Sequence, residues 1–516
     1  MPPKSADTKT EIATTRQMLG SLLKSARDIM RKDKGLNGDL DRLPLLTWIM
    51  FLKFLDDLEL QREEEAVLGG QHFRPVVEPP YRWRDWASSP QGMTGDELLG
   101  FINYEQATRP DGSSGPGLFA YLRQLTSANG DDRRDVIATV FRGVDNRMKS
   151  GYLLRDVVNK INDFHFTSSE ELHTLGALYE TMLKEMRDAA GDSGEFYTPR
   201  PVIRFMVEVT NPKLGETILD PAAGTGGFLV EAFNHLAKQV KTVNHRKVLQ
   251  DKSLSGCEAK PLPYLLCQMN LLLHGLNAPR VDPGNALRFK LSEIGDKDRV
   301  DLVLTNPPFG GEEERGVLGN FPQDMQTAET ALLFLQLIMR KLKRRTPTHP
   351  LGGRAALVVP DGTLFNKSTA ARIKEHLVKN FNLHTVVRLP FGVFEPYTPI
   401  RSNILFFDSS GATEVTWYYE IFMPEGRKKY SKTKPMRFEE FEDCIKWWHH
   451  REANENAWSV SIGEIAESGF NLDFANPNRP DAELPDDPHE LISMLASNNE
   501  RIATSLQALK TLAGKL

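Results

Sequence analysis

Cysteine, net positive charge and long apolar runs are all scarce in this chain, and each scarcity excludes a class of protein. Three cysteines occur in 516 residues, Cys257, Cys267 and Cys444. They are too few for a disulfide scaffold, no two stand as Cys-x-x-Cys, and the pattern fits a reducing compartment. Each reads as a small buried hydrophobe. With 64 basic against 69 acidic residues the formal net charge is −5, which is not the balance of a chain that grips a polyanion unaided. The most apolar run, residues 45–55, contains Lys53 and is followed by Asp56 and Asp57. It is too short and too charged to span a bilayer. The first residues, Met1-Pro2-Pro3-Lys4, lack the apolar core of a signal peptide. A cytoplasmic location is expected, with no membrane partner. Gly-Lys-Ser and Gly-Lys-Thr are also missing, so no Walker loop grips a phosphate.

At about 150 residues per domain the length suggests three units, and 26% charged with 40% hydrophobic residues is a globular composition. The centre of the chain is Ile218-Leu219-Asp220-Pro221-Ala222-Ala223-Gly224-Thr225-Gly226-Gly227-Phe228. An apolar strand ends in an acidic residue, small residues and glycines make a turn, and helical spacing resumes. Glycine lets the backbone turn sharply and approach a ligand. A dinucleotide fingerprint would need a glycine three residues after Gly226, where Leu229 stands. A second strand end follows at Asp301-Leu302-Val303-Leu304-Thr305-Asn306-Pro307-Pro308-Phe309. Its prolines forbid a continuing helix or ladder, so Asn306 is delivered to a rigid rim. A plain turn would also use Asn-Pro-Pro. Upstream, Gly194-Glu195-Phe196-Tyr197-Thr198-Pro199-Arg200 enters a helix through Pro199 and Pro201.

Taken in this order, the three segments resemble the modification subunits of type I restriction–modification systems. Asn306-Pro307-Pro308-Phe309 is similar to the catalytic motif of methylases that act on exocyclic base amines, with Phe309 suggesting adenine N6. The resemblance implies direct transfer of the methyl of S-adenosylmethionine to a flipped-out adenine in double-stranded DNA. The amine is a poor nucleophile, so acceptors at the Asn306 side chain and the Pro307 carbonyl would draw on its hydrogens, and Phe309 would stack the base. The resemblance also implies that Glu195, Phe196, Tyr197, Thr198 and Pro199 close over the methionine part of the cofactor, with Tyr197 flanking it or the base. Asp220, Ala222, Gly224, Thr225, Gly226, Gly227 and Phe228 would form the cofactor loop. A separate specificity subunit is implied, with two modification subunits for each, while the presence of a restriction subunit stays open on the sequence. Methylation at cytosine C5 is excluded, because no Pro-Cys presents a thiolate.

Glu258 ends an expected second strand, where a carboxylate can accept both ribose hydroxyls. It lies further along than the usual spacing of about twenty residues, implying an insertion near 240–252. Asn285, Ala286 and Leu287 are expected under the cofactor adenine. Many amino-methyltransferases have Asp where Asn285 stands, and Asp282 is the nearby rival. No metal site is expected.

Residues 1–185 read as a helical domain, with a helix from Pro44 bearing Trp48, Phe51, Leu52 and Leu55 on one face, and another over 172–186. Tyr81-Arg82-Trp83-Arg84-Asp85-Trp86 either packs a loop or stacks on bases. Residues 186–410 read as the catalytic α/β domain, a Rossmann-like doubly wound sheet with helices on both faces. Helices are expected over 227–241, 263–274, 330–345 and 367–379, strands over 355–360, 383–389 and 403–407, and a loop over 310–316. The basic end at Lys341 to Arg345 suits a helix dipole or a phosphate. Residues 411–480 read as a basic linker extension, with Arg427, Lys428, Lys429, Lys432 and Lys434 in its most basic stretch. Asn471-Leu472-Asp473 resembles a segment that follows the catalytic domain in the same family. Residues 481–516 read as a C-terminal assembly helix whose apolar seam is broken by Asn498. A stand-alone DNA or RNA methylase, or a non-catalytic scaffold that binds the cofactor, remains open on the sequence.

Overall fold

The structure, a computed structural model, describes residues 20–70, 72–126, 133–163, 198–309, 313–395, 400–424, 426–427, 429–431 and 434–478, with Ala496 and Asn499. The expected helix over 172–186, residues 194–197, residues 310–312, Lys428, Lys432 and nearly all of the expected C-terminal helix lie outside them.

The N-terminal part is helical apart from a small hairpin of β1 (Ala107–Thr108) and β2 (Ser114–Gly115). Its main helix, Asp39–Leu68, starts before Pro44 and contains it. A mid-helix proline costs about 3 kcal/mol. Trp48, Ile49, Phe51, Leu52, Phe54 and Leu55 are all buried beyond it, and at roughly 1.5–3 kcal/mol per side chain their burial outweighs the lost hydrogen bond. The aromatic and arginine run at 81–86 packs a loop: Tyr81, Trp83 and Trp86 are buried. Arg82 pairs with Asp85 at 2.8 Å and Arg84 with Asp56 at 2.9 Å. The three aromatic rings of the run are thus taken up in the core, leaving none free to stack on bases.

Among the described residues the large sheet has nine strands: β3 (Ile218–Asp220), β4 (Leu254–Cys257), β5 (Val281–Asp282), β6 (Leu302–Thr305), β7 (Arg354–Pro360), β8 (Asn382–Arg388), β9 (Ser402–Asp408), β10 (Val415–Glu420) and β11 (Ala457–Ser461). Their order is β11-β10-β8-β9-β7-β6-β3-β4-β5. β3 to β7 pair in parallel, while β9 runs antiparallel between β7 and β8 and β11 runs antiparallel at one edge. Apolar helices cover both faces, so β3 and β6 are buried throughout and read as unbroken apolar runs. The chain steps outward from β3 to β4 and β5, then returns to β6 on the other side of β3. The strand order therefore switches between β3 and β6, where an open α/β sheet leaves a ligand crevice beyond the strand ends.

Several elements differ from expectation. The helix after the glycine loop stops at Ala237, and a second one, Val243–Lys252, fills the insertion expected near 240–252. The helix from Thr330 ends at Lys341, leaving Arg344 and Arg345 beyond it. The loop expected over 310–316 gives way at Arg315 to a short helix, Arg315–Leu318. The stretch expected as a linker extension supplies β10, β11 and the Glu442–His449 helix to the same sheet. The Pro261–Leu273 helix joins the two parts: Leu265, Leu266 and Met269 enter the N-terminal core, while Tyr264, Cys267 and Leu271 enter the sheet core. No helix among the described residues is long and apolar enough to cross a membrane.

Candidate active site

The glycine loop leaves β3 at Asp220 and turns into the Gly227–Ala237 helix. Gly224 and Gly226 have φ of +53° and +80°, where a Cβ is strained. Their surroundings differ. A Cβ on Gly226 would lie 2.8 Å from the Cys267 sulfur, and one on Gly227 would lie 2.8 Å from Ile203 Cδ1. A Cβ on Gly224 meets nothing within 4 Å. Gly226 and Gly227 serve packing, whereas Gly224 faces open space. Arg200 Nη1 donates to the Gly227 carbonyl and Asn270 Nδ2 to the Thr225 carbonyl, holding the loop from two helices.

Asp220 is fully buried. Its Oδ1 accepts from Ala222 N at 3.1 Å and from Thr305 Oγ1 at 2.7 Å, while Oδ2 is buried without a partner. Burial, followed by the charge of Glu258, pushes this carboxyl up to about 7 against the hydrogen bonds that lower it. Glu258, just past β4, accepts from Gly224 N at 2.8 Å and from Lys260 N at 2.9 Å. Burial raises its carboxyl as well. Two acids stand at neighbouring strand ends, and one buried oxygen lacks a donor. A cationic or donor-rich ligand suits them.

Asn306 follows β6 and is 7% exposed. Its Nδ2 donates to Thr198 Oγ1 at 2.9 Å, and its Oδ1 is buried with no partner. Buried polar atoms are nearly always satisfied, and leaving one bare costs roughly 1–3 kcal/mol. An acceptor kept bare at the rim of a crevice is set for a donor from outside. Pro307 and Phe309 are buried and Pro308 is exposed. The Phe309 ring meets Phe394 edge-on at 5.6 Å between centroids. Bonds from Thr198 to Asn306, from Thr305 to Asp220 and from Gly224 to Glu258 thus knit the three motifs together at the switch point.

Of the expected cofactor residues, Thr198 is buried beside Asn306 and Pro199 caps the Arg200–Thr210 helix, while Glu195, Phe196 and Tyr197 lie outside the described residues. Ala222, Thr225 and Phe228 stand in the loop and first helical turn. Asn285 Oδ1 caps a short 3-10 turn by accepting from Leu287 N at 2.9 Å, and its Nδ2 donates to Glu313. Ala286 and Leu287 are buried in that turn. Asp282, the rival, pairs outward with Arg288 at 2.6 Å, so its carboxylate is engaged. Sequence reasoning missed Thr305, Asn270 and Phe394. Thr305 sits in the quoted motif one residue before Asn306, a signal that was available. Asn270 and Phe394 carry no local signal. Among the described residues no group of three or more His, Cys, Asp or Glu gathers in metal-binding proximity.

Residues 170–485 match the N-6 DNA methylase family and residues 19–161 match the HsdM N-terminal domain. The chain is 44% identical, over 96% of its length and 98% of the relative's, to the methylase subunit of the type I restriction enzyme EcoEI from Escherichia coli. It is 69% identical to a solved modification subunit assigned to a type I restriction enzyme of Vibrio vulnificus YJ016, covering 90% of this chain and 97% of that one with a TM-score of 0.85. A structure from work on complex assembly and conformational transition of the type I R-M system is 36% identical, covers 97% of this chain and 99% of its own, and has a TM-score of 0.74. The strand-end loop, the Asn-Pro-Pro-Phe rim and the helical N-terminal part all fall within these matches, and the chain belongs to the N-6 DNA methylases as a type I modification (methylase) subunit, an adenine-specific DNA methyltransferase.

Proposed function

We propose that the crevice between β3 and β6 holds S-adenosylmethionine beside a flipped-out adenine. The buried, unpartnered Oδ1 of Asn306 carries this reading. The adenine N6 amine has two hydrogens, and Asn306 Oδ1 together with the Pro307 carbonyl accepts them. That returns electron density to nitrogen, in a water-poor site where fixed acceptors count most. Phe309 stacks the base against the support of Phe394, and Pro308 stiffens the rim. The residues present fit the cofactor. Gly224 leaves room for it, Asp220 Oδ2 offers a bare acceptor to a cation, and the Glu258 carboxylate, already accepting from Gly224 N and Lys260 N, keeps lone pairs for a ribose diol. S-adenosylmethionine supplies an electrophilic methyl on a sulfonium. Thr198 and Pro199 close one side with Glu195, Phe196 and Tyr197. Ala222, Thr225, Gly226, Gly227 and Phe228 shape the loop, and Asn285, Ala286 and Leu287 line the adenine side. Thr198 orients the Asn306 amide so that the oxygen, not the nitrogen, points at the amine.

The division we propose is a helical assembly domain over 1–185, a catalytic domain over 186–410 with its extension to 480, and a docking helix over 481–516. With a formal net charge of −5, the chain needs a partner to neutralise phosphates. A specificity subunit carrying two modification subunits supplies this, and a restriction subunit joins the same assembly. The test is to incubate methyl-labelled S-adenosylmethionine with duplex DNA and the chain, alone and with its specificity subunit, and to identify the labelled base. Label on adenine N6 that needs the specificity subunit supports the reading. Label on another base, or none with any partner while cofactor stays bound, refutes it.

A further inference from the structure

A cleft of about 820 Å³ opens at the other end of the sheet. Arg299 stands before β6, Arg344 and Arg345 before β7, and Phe381 before β8, so the cleft lies where the parallel strands begin. β7 has seven residues, which at roughly 3.3 Å each sets the cleft about 20 Å from the Asn306 rim. Its cations are Lys290, Arg299, Arg340, Arg344 and Arg345, and its floor carries Leu291, Phe321, Met325, Met339 and Phe381. Arg299 is nine-tenths buried. Arg299 and Arg344 share one carboxylate, Asp296, at 3.1 and 3.7 Å. Among the described residues Arg340 and Arg345 bond to backbone carbonyls, those of Leu291 and Ser410. Burial, then the charges of Arg340 and Arg344, lower the proton affinity of Arg299, a mark of crowded positive charge.

The ordinary explanation is helix-dipole compensation, since the Thr330–Lys341 and Thr369–Asn380 helices both end here. Two helix ends supply about one negative charge together, and Asp296 supplies another. Asp324, whose charge acts on His376 in the cleft wall, supplies a third, and against five cations roughly two positive charges remain. We propose that this cleft docks an acidic segment of a partner protein chain, anchored by apolar side chains on the Phe and Met floor. Arg, Met and aromatic residues are the types enriched at protein interfaces, and the surplus charge selects an acidic occupant. Duplex DNA fits less well, because a duplex that delivers a base to the Asn306 rim lies on the opposite end of the sheet. The proposal rests on the reading that the chain works in a multi-subunit complex.

Two variants of the full chain test it, assembled with the specificity and restriction subunits of its own system and with duplex DNA. In the first, a photo-crosslinking amino acid replaces Arg344, and the crosslinked peptide is sequenced. An acidic segment of another protein subunit is expected. Crosslinks to DNA or to this chain's own C-terminal part, or none in an intact complex, would overturn the inference. In the second, Arg344→Glu/Arg345→Glu is compared with Arg344→Lys/Arg345→Lys. Both residues are exposed, so both variants should fold. Charge reversal is expected to weaken assembly at least tenfold with cofactor affinity unchanged, and the lysine pair to retain it. Equal assembly by all three chains would overturn the docking role. A wild-type chain that forms no complex would instead sink the partner reading, and this inference with it.

Discussion

Replacing Asn306 by alanine separates a role in chemistry from a role in structure, because the same atom is bare in the fold and is the proposed acceptor for the substrate amine. The side chain contributes one neutral hydrogen bond to folding, Nδ2 to Thr198 Oγ1, worth about 1 kcal/mol. Against that, Oδ1 is buried without a partner, and removing it relieves roughly 1–3 kcal/mol of desolvation. The two nearly cancel, so the unfolding temperature of Asn306→Ala is expected to stay within about 3 °C of wild type. The reaction loses an acceptor aimed at developing charge, which costs about 100- to 1000-fold in kcat. Affinity for S-adenosylmethionine is expected to hold, since the loop bonds run through Asp220, Gly224 and Glu258. The assays are label transfer to duplex DNA under saturating cofactor, cofactor titration calorimetry and thermal unfolding. A variant that loses cofactor binding in step with turnover, or keeps more than a tenth of wild-type kcat, would refute the reasoning.

The two strained glycines should behave differently: Gly224→Val is expected to fold with a penalty of about 1–2 kcal/mol for its left-handed backbone but to lose cofactor binding, whereas Gly226→Val drives into Cys267 and should fail first in thermal unfolding. Asp220 makes a pH prediction. Its folded carboxyl, near 7, lies above the ordinary 3.8, so the stability it contributes is complete below about pH 4 and lost as pH rises through 7, by about 4 kcal/mol at most. Asp220→Asn should abolish that component in unfolding scans of the cofactor-free chain. A bound cation lowers the same pKa, so cofactor binding near pH 6.5 should release a proton and binding near pH 8.5 should not; heats that do not depend on buffer at the lower pH would count against it. Phe394→Leu, which keeps the cavity largely filled, is expected to raise KM for DNA severalfold through loss of the edge-on support of Phe309, with cofactor affinity intact; unchanged steady-state constants would refute that support.

Strand-end chemistry was legible because it needs rare residues in fixed order. A backbone at φ +53° and +80° calls for glycine and a rigid turn after a strand for Pro-Pro, and Gly224, Gly226, Pro307 and Pro308 stand at the strand ends read from the sequence, as does the acid Glu258. Strands β6 and β7 were legible for a related reason: burial on both faces leaves an unbroken apolar run. The contacts that give these residues their function lie far apart in sequence and use common side chains. Thr198 meets Asn306 across 108 positions, and Asn270 holds Thr225 across 45. A lone Asn on an apolar helix announces nothing locally, and the segment that holds Thr198 does not mark Asn306 as its partner. The helix expected from Pro44 is there, but its start at Asp39 went unread for the opposite reason, because tertiary burial overrode a strong local stop signal. Packing also decided the run at 81–86, whose arginines found Asp56 and Asp85. The bare Oδ1 of Asn306 belongs to neither group. The motif marks the residue, but only the fold leaves its oxygen unsatisfied, by spending the amide nitrogen on Thr198. Thr198→Val therefore tests the whole arrangement: it keeps the volume, removes the acceptor that orients the amide, and should lower kcat with little change in stability, whereas a wild-type rate would mean that the rim holds Asn306 without it.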